Sequence, residues 1–191
     1  NVEVKRGGYV IICKPSLADT VKAVAQWKHE KGYSVRIVPT TEINSNGSPT
    51  KAQIFSYLQN AYNAWEVPPE YVMIVGDQDG TFNVEDYPYG GYAYASDHHY
   101  ACVDGSDYIP DIFVARLSVD AMSEARIALS KIIKYEKYPL MRDPQHWIRG
   151  LSVAYTYYES SRLTTLWVRQ LQLRHGFARV DTVFDDGYRL P

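Results

Sequence analysis

Residues 97–113 read DHHYACVDGSDYIPDIF and place two histidines, one cysteine and four aspartates within seventeen positions. Two chemistries fit those residue types. Cys102 with His98 or His99 could form a nucleophile and its base. Alternatively, the aspartates hold a cation and the histidines and cysteine are bystanders. The thiol reading is the weaker one. A catalytic cysteine needs a thiolate stabilised by positive or dipolar neighbours, whereas Asp104 and Asp107 push the other way, and no glycine-rich oxyanion motif adjoins Cys102. A short strand through Tyr100 and Cys102 would also put the thiol on the face opposite His99. A packed, inert thiol is expected.

The cation reading starts from Asp104-Gly105-Ser106-Asp107, which is turn chemistry that points short oxygen-bearing side chains into one small volume. Pro110 biases Ile109 towards an extended backbone, and an extended segment puts Asp107 and Asp111 on one side. A third carboxylate, Asp77, follows the apolar run Tyr71–Val75 directly after Gly76. In an open parallel sheet, ligands gather beyond the carboxyl ends of the strands. Asp77, Asp107 and Asp111 with carbonyls from the turn would make an oxygen cage suited to calcium, which takes roughly six to eight oxygen ligands, rather than to zinc. The residue types leave a second reading open, in which these aspartates are solvated in a polar loop and never converge. The pattern is not an EF-hand, because Asp77-Gln78-Asp79-Gly80 puts glycine at the fourth position.

The elements that must position these groups alternate short apolar runs with amphipathic segments. Strands are expected at Tyr9–Cys13, Tyr33–Val38, Tyr71–Val75, 112–115, Leu151–Tyr155 and 178–184. A helix opens at Pro15-Ser16, with Ser16 as its cap and Asp19 three residues on, and Gly32 stops it. A second follows Thr50 and Gln53, which have capping-box spacing. Others run from about Asp120 to Tyr138 and from about Ser161 to Arg174, with Gly176 as the last stop. Fully apolar strands with long crossovers indicate a parallel sheet covered on both faces. Residues 77–110 break this regularity and read as an irregular Tyr- and Asp-rich excursion with short strands. Arg116, inside an apolar strand, must be paired, and the sequence does not name its carboxylate.

Composition narrows the function classes. The 191 residues are 46% hydrophobic and 22% charged, ordinary for a soluble globular protein with one large domain. A formal charge of −2 offers no basic field, so nucleic acid is not an expected partner. No apolar run approaches the roughly 20 residues that span a bilayer. The chain starts with Asn1, which reads as a processed or trimmed start, and it stops just after a strand, which reads as a cut. Tyrosine is abundant, at 17 copies. Its usual place is the half-buried core margin.

Three motifs now stand in order: Val75-Gly76-Asp77; the segment DYIPDIFVARLS from Asp107 to Ser118; and a helix closing Ile132-Ile133-Lys134-Tyr135-Glu136, with the first helix ending Trp27-Lys28 before Gly32. The combination resembles the gingipain-like cysteine peptidases of family C25, in which a VGD strand end, a D-x-x-x-E/D-x-F-x-x-R-x-S segment and a helix closing in Y-E recur in this order. The resemblance covers essentially the whole chain. It implies an α/β fold, a three-layer caspase-like sandwich with a mostly parallel sheet flanked by helices. Residues 1–191 would be the first of two subdomains, ending before the catalytic one. It also implies a Ca2+ site made by the side chains of Asp77, Asp107 and Asp111, with carbonyls near Asp104 and at Ile109. The catalytic His-Gly motif and cysteine of the family follow strands of the second subdomain, so this chain would hold no catalytic residue and would be inert alone. Its partners would be that downstream subdomain and a protein or peptide substrate, and its setting secreted or cell-surface. Arg-selective members place an aspartate before the helix where this chain has Ser161. An acidic specificity pocket is therefore not expected, and Glu159 is the nearest carboxylate.

Two other classes compete. A non-catalytic binding module would use the Tyr-rich stretch 82–100 to recognise a protein or glycan. A receiver-like switch would phosphorylate Asp77, but it needs an acidic pair after the first strand, and Lys14-Pro15-Ser16 supplies none.

Overall fold

The computed structural model describes residues 7–88, 95–139, 142–155 and 157–185. They form two compact units, Asn1–Tyr138 and Pro139–Pro191, where the sequence reading has a single subdomain over 1–191.

In the first unit, β1 (Gly8–Cys13), β2 (Ser34–Pro39), β3 (Pro69–Val75) and β4 (Phe113–Leu117) form a wholly parallel sheet in the order β2-β1-β3-β4. The central strands β1 and β3 are largely apolar on both faces because both faces are covered, whereas the edge strands β2 and β4 carry Arg36 and Arg116. Val10, Ile12, Val72 and Ile74 pack with Ile54 and Leu58 of a helix at Lys51–Ala64 and with Tyr100. Ile11, Cys13, Met73 and Val75 pack with Val21 and Val24 of a helix at Ala18–Glu30, and with Ala125 and Leu129 of one at Met122–Lys137. In chain order the helices are α1 (Ala18–Glu30), a single turn α2 (Thr40–Ile43), α3 (Lys51–Ala64), a single turn α4 (His98–Ala101) and α5 (Met122–Lys137). The expected three-layer α/β arrangement is present.

Local signals account for some boundaries and not others. Thr50 and Gln53 form a true capping box at the start of α3. The expected Ser16 cap does not form. Pro15–Leu17 is a 3₁₀ turn, and α1 starts after it with no side-chain cap. Among the described residues of 77–110 there are no strands, and β4 is the strand that pairs with β3. Tyr100 instead enters the core on the short helix α4.

The paired motifs at the ends of α1 and α5 meet in space. Glu136 accepts from Trp27 Nε1 (3.0 Å), Lys28 Nζ (2.7 and 2.9 Å) and Lys31 Nζ (2.8 Å), binding the last turn of α1 to that of α5. Burial opposes ionisation of Glu136, yet the hydrogen bonds and charge of its lysine partners and the indole N–H outweigh it. They hold its carboxyl below the usual glutamate range.

The second unit is a βαβ element. β5 (Arg149–Tyr155) and β6 (Arg179–Asp185) pair in parallel, and α6 (Glu159–Arg174) connects them. Ser152 Oγ bonds Gln172 Oε1 (3.2 Å) and Arg169 Nε donates to the Val180 carbonyl (3.0 Å), fixing the helix on its sheet.

Candidate functional site

At the carboxyl end of β3, the chain turns on Gly76. Its φ of 141° and the Phe82 carbonyl lying where a Cβ would stand leave room only for glycine. The segment beyond is held by Arg116 of β4. Its Nε and Nη2 make a bidentate pair with Asp97 (2.7 Å each). Nη1 donates to the carbonyls of Gly76 (3.0 Å) and Val84 (2.8 Å), and Nη2 also reaches Glu85 O (3.3 Å). One guanidinium thus joins the VGD turn, the excursion and α4. Burial works against its charge, but Asp97 more than offsets that and raises the Arg116 pKa above its ordinary value. The carboxylate that the sequence does not name is Asp97. Beside it opens a polar cavity of about 260 Å3, lined by Asp77, Asp86, Asp97, Arg116 and Ser118 among others.

The five residues expected to share one calcium ion do not converge. Tyr71 pairs with Phe113 and Val75 with Leu117. Asp77 therefore lies past the carboxyl end of β4, and Asp111 lies before its amino end. The strand between them is at least roughly 13 Å long at about 3.3 Å per residue, far beyond the reach of ligands at about 2.3–2.6 Å from one ion. Spacing along the sequence hid this, because a parallel neighbour returns the chain to the opposite end of the sheet.

Two separate oxygen sets remain, of which one converges and the other shares a loop. Asp104, Asp107, Ile109 and Asp111 share one loop before β4. Asp111 Oδ2 accepts from Asp104 N (2.8 Å), and Asp107 Oδ1 accepts from Ile109 N (2.9 Å). Each carboxylate keeps its other oxygen, and Ile109 is 70% exposed. The second set is Asp77, Asp79 and Asp120, the one such group among the described residues whose ligand atoms all lie within 4.8 Å of each other. Gly80, at φ 71°, is where a Cβ would collide with the Asp120 carboxylate. Asp79 and Asp120 were missed by reasoning along the chain. Their signal is positional: each follows the carboxyl end of one of two adjacent strands. Both sets offer oxygen only, which fits a hard cation such as calcium and does not fit zinc.

The thiol in the opening stretch sits closer to a histidine than a strand would allow, because α4 is helical. Cys102 Sγ is 3.7 Å from His98 Nε2, which also contacts the Tyr108 carbonyl at 3.0 Å. Burial, Asp111 and Asp107 raise the Cys102 pKa, in that order of effect. Proximity without thiolate stabilisation makes a poor nucleophile. Iodoacetamide at neutral pH is expected to modify Cys102 more slowly than free glutathione, and Asp111→Asn should speed it; peptide mass mapping over time reads both.

The specificity candidates Glu159 and Ser161 lie in the first turn of α6 rather than in a loop before it. Glu159 is paired with Arg162, which lowers its pKa, and Ser161 N bonds the Tyr158 carbonyl (3.0 Å). Of the Tyr-rich stretch, 89–94 lie outside the described residues. Tyr87 and Tyr100 are packed: Tyr87 lies against Phe55, His99 and Tyr100, and the Tyr100 hydroxyl donates to Glu85 O (2.7 Å). No helix among the described residues is long and apolar enough to cross a membrane.

Comparison with known proteins agrees with this architecture. The model of peptidase family C25 matches residues 3–188. Lys-gingipain of Porphyromonas gingivalis is 25% identical over 148 residues, which are 76% of this chain and 8% of that protein. The solved complex of the RgpB pro- and mature domains of P. gingivalis superposes with a TM-score of 0.80 at 19% identity, covering 95% of this chain and 43% of that one. The Arg-specific cysteine proteinase gingipain R (RGPB) gives 0.79 at 20% identity, covering 95% and 42%. The chain thus spans less than half the length of each of these relatives.

Proposed function

Since the chain belongs to peptidase family C25, we propose that it is a calcium-stabilised, non-catalytic part of a secreted or surface-displayed cysteine endopeptidase acting on protein or peptide substrates. The observation that carries this reading is the Arg116 clamp. The VGD turn and the DYIPDIFVARLS segment, separate in sequence, are bonded through one guanidinium, and that explains why the motifs occur together. The nucleophile and its histidine come from the protein beyond this chain, since Cys13 and Cys102 are both buried and both have raised pKa values. The role of this part is to hold the sheet edge against which the catalytic part assembles.

Calcium would bind the Asp104–Asp111 loop through Asp107, Asp111 and the carbonyls near Asp104 and at Ile109, and the Asp77–Asp79–Asp120 set at the other end of the sheet. There it would screen carboxylates that otherwise repel. Thermal unfolding of the chain in EDTA and in excess calcium tests this. At 100-fold excess over Kd one site adds about 2.7 kcal/mol. Asp107→Ala and Asp120→Ala should each remove part of the upward shift, and together all of it. No shift in the parent chain would end the calcium reading. The chain alone should leave casein intact, and hydrolysis by it would end the non-catalytic one.

A further inference from the structure

The helical turn α4 sets two soft ligand atoms side by side. His98 opens the turn and Cys102 ends it, four residues on, so their side chains share one face. His98 Nε2 lies 3.7 Å from Cys102 Sγ. In a tetrahedral zinc site, with Zn–N about 2.0–2.1 Å and Zn–S about 2.3 Å, a nitrogen and a sulfur ligand stand about 3.6 Å apart. The pair therefore already has the separation that one ion requires. His98 is exposed and Cys102 is 7% exposed, so an ion can reach the thiol from the histidine side.

The surroundings favour a dication over the protons now present. Asp111 N donates to the Ala101 carbonyl (2.9 Å) and Ile112 N reaches it at 3.3 Å, fastening the loop before β4 to the last residue of α4. After burial, Asp111 and then Asp107 are what push the Cys102 thiol up. The negative potential that makes this thiol a poor nucleophile attracts a positive ion, and a bound ion in turn favours the thiolate. The Asp111 carboxylate is not within 4.8 Å of both ligand atoms, so it acts through its charge and through water on the ion. In the empty pair, Nε2–H points to the Tyr108 carbonyl (3.0 Å) and the thiol to the His98 carbonyl (3.6 Å). On loading, the imidazole carries its proton on Nδ1 instead, and the thiol gives its proton to solvent.

We propose that His98 Nε2 and Cys102 Sγ are the two protein ligands of a site for a thiophilic dication of the zinc class, with Asp111 beside them to balance its charge. The donor set decides the ion. Imidazole and thiolate suit zinc and its neighbours, whereas calcium takes oxygen ligands. Water completes the coordination. The bound ion bridges the two ends of α4 next to the point where the loop before β4 is fastened. The proposal rests on the geometry of α4 and is independent of both the peptidase assignment and the calcium reading.

The test titrates Co2+, a coloured stand-in for zinc, into the full chain in calcium-free buffer at neutral pH with the thiols kept reduced. A thiolate-to-cobalt charge-transfer band in the near ultraviolet should grow and saturate at one ion per chain, disappear when Zn2+ is added, and be accompanied by release of about one proton per ion. Cys102→Ser should remove the band, and Cys13→Ala should leave it unchanged. His98→Gln, a change at an exposed position that the fold tolerates, should weaken binding about 100-fold, and Asp111→Asn about tenfold, the range over which groups around a metal act. Circular dichroism checks that each variant is folded, and if Cys102→Ser is not, His98→Gln decides. Absence of the band in the parent chain, a band that survives Cys102→Ser, or unchanged affinity in His98→Gln would overturn the proposal. Calcium produces no such band, so failure of this site and failure of the calcium reading are told apart.

Discussion

Replacing Arg116 with Met is expected to destabilise the chain by about 3–5 kcal/mol, the cost of leaving one partner of a buried ion pair uncompensated. Asp97 would lose both its hydrogen bonds to the guanidinium, and the carbonyls of Gly76, Val84 and Glu85 would lose their shared donor. Domains carry only about 5–15 kcal/mol in total, so much of the variant should be unfolded at physiological temperature. Arg116→Lys should recover only part of the loss, because an ammonium cannot make the bidentate fork. Urea unfolding reads both. The Arg116→Met, Asp97→Asn double variant should be less destabilised than the two single effects added, because the second change removes the stranded charge. A cost below about 1 kcal/mol for Arg116→Met, the level of a solvated surface pair, would refute the clamp.

Glu136→Gln is expected to cost about 2 kcal/mol once its partial exposure is discounted. Lys28 has a side chain only 11% exposed and would be left without its carboxylate. The effect should also depend on pH. The folded carboxyl is held below its unfolded pKa, so its contribution is complete above the ordinary glutamate range and is lost progressively as pH falls below it. A stability–pH series on the parent and the Gln variant should show the two converging in acid. Curves that stay parallel down to acid would mean that Glu136 does not anchor α1 to α5.

The parallel sheet was legible because its central strands are nearly continuously apolar and its crossovers are long, two features that leave little choice of architecture. The motifs of the candidate site were legible as a set, and the structure gives their physical reason: Trp27 and Lys28 bind Glu136, and Arg116 binds the VGD turn. What could not be read was convergence in space. Asp77 and Asp111 look like co-ligands along the chain, yet the parallel pairing of β3 and β4 puts them at opposite ends of one strand. Asp79 and Asp120 look like ordinary turn residues until that same pairing brings them together. Cys102 and His98 came close because a helical turn replaced an expected strand. That helical turn carries Tyr100 into the core.

The central claim is that this chain contributes structure to a cysteine peptidase whose nucleophile lies outside it. The most direct measurement is active-site labelling of the longer protein with a thiol-reactive peptidyl ketone, followed by mass mapping of the modified cysteine. The account predicts a single labelled cysteine, with loss of proteolysis on labelling, and neither Cys13 nor Cys102 modified. Labelling of Cys102 in step with loss of activity would contradict it and return the opening stretch to a catalytic role.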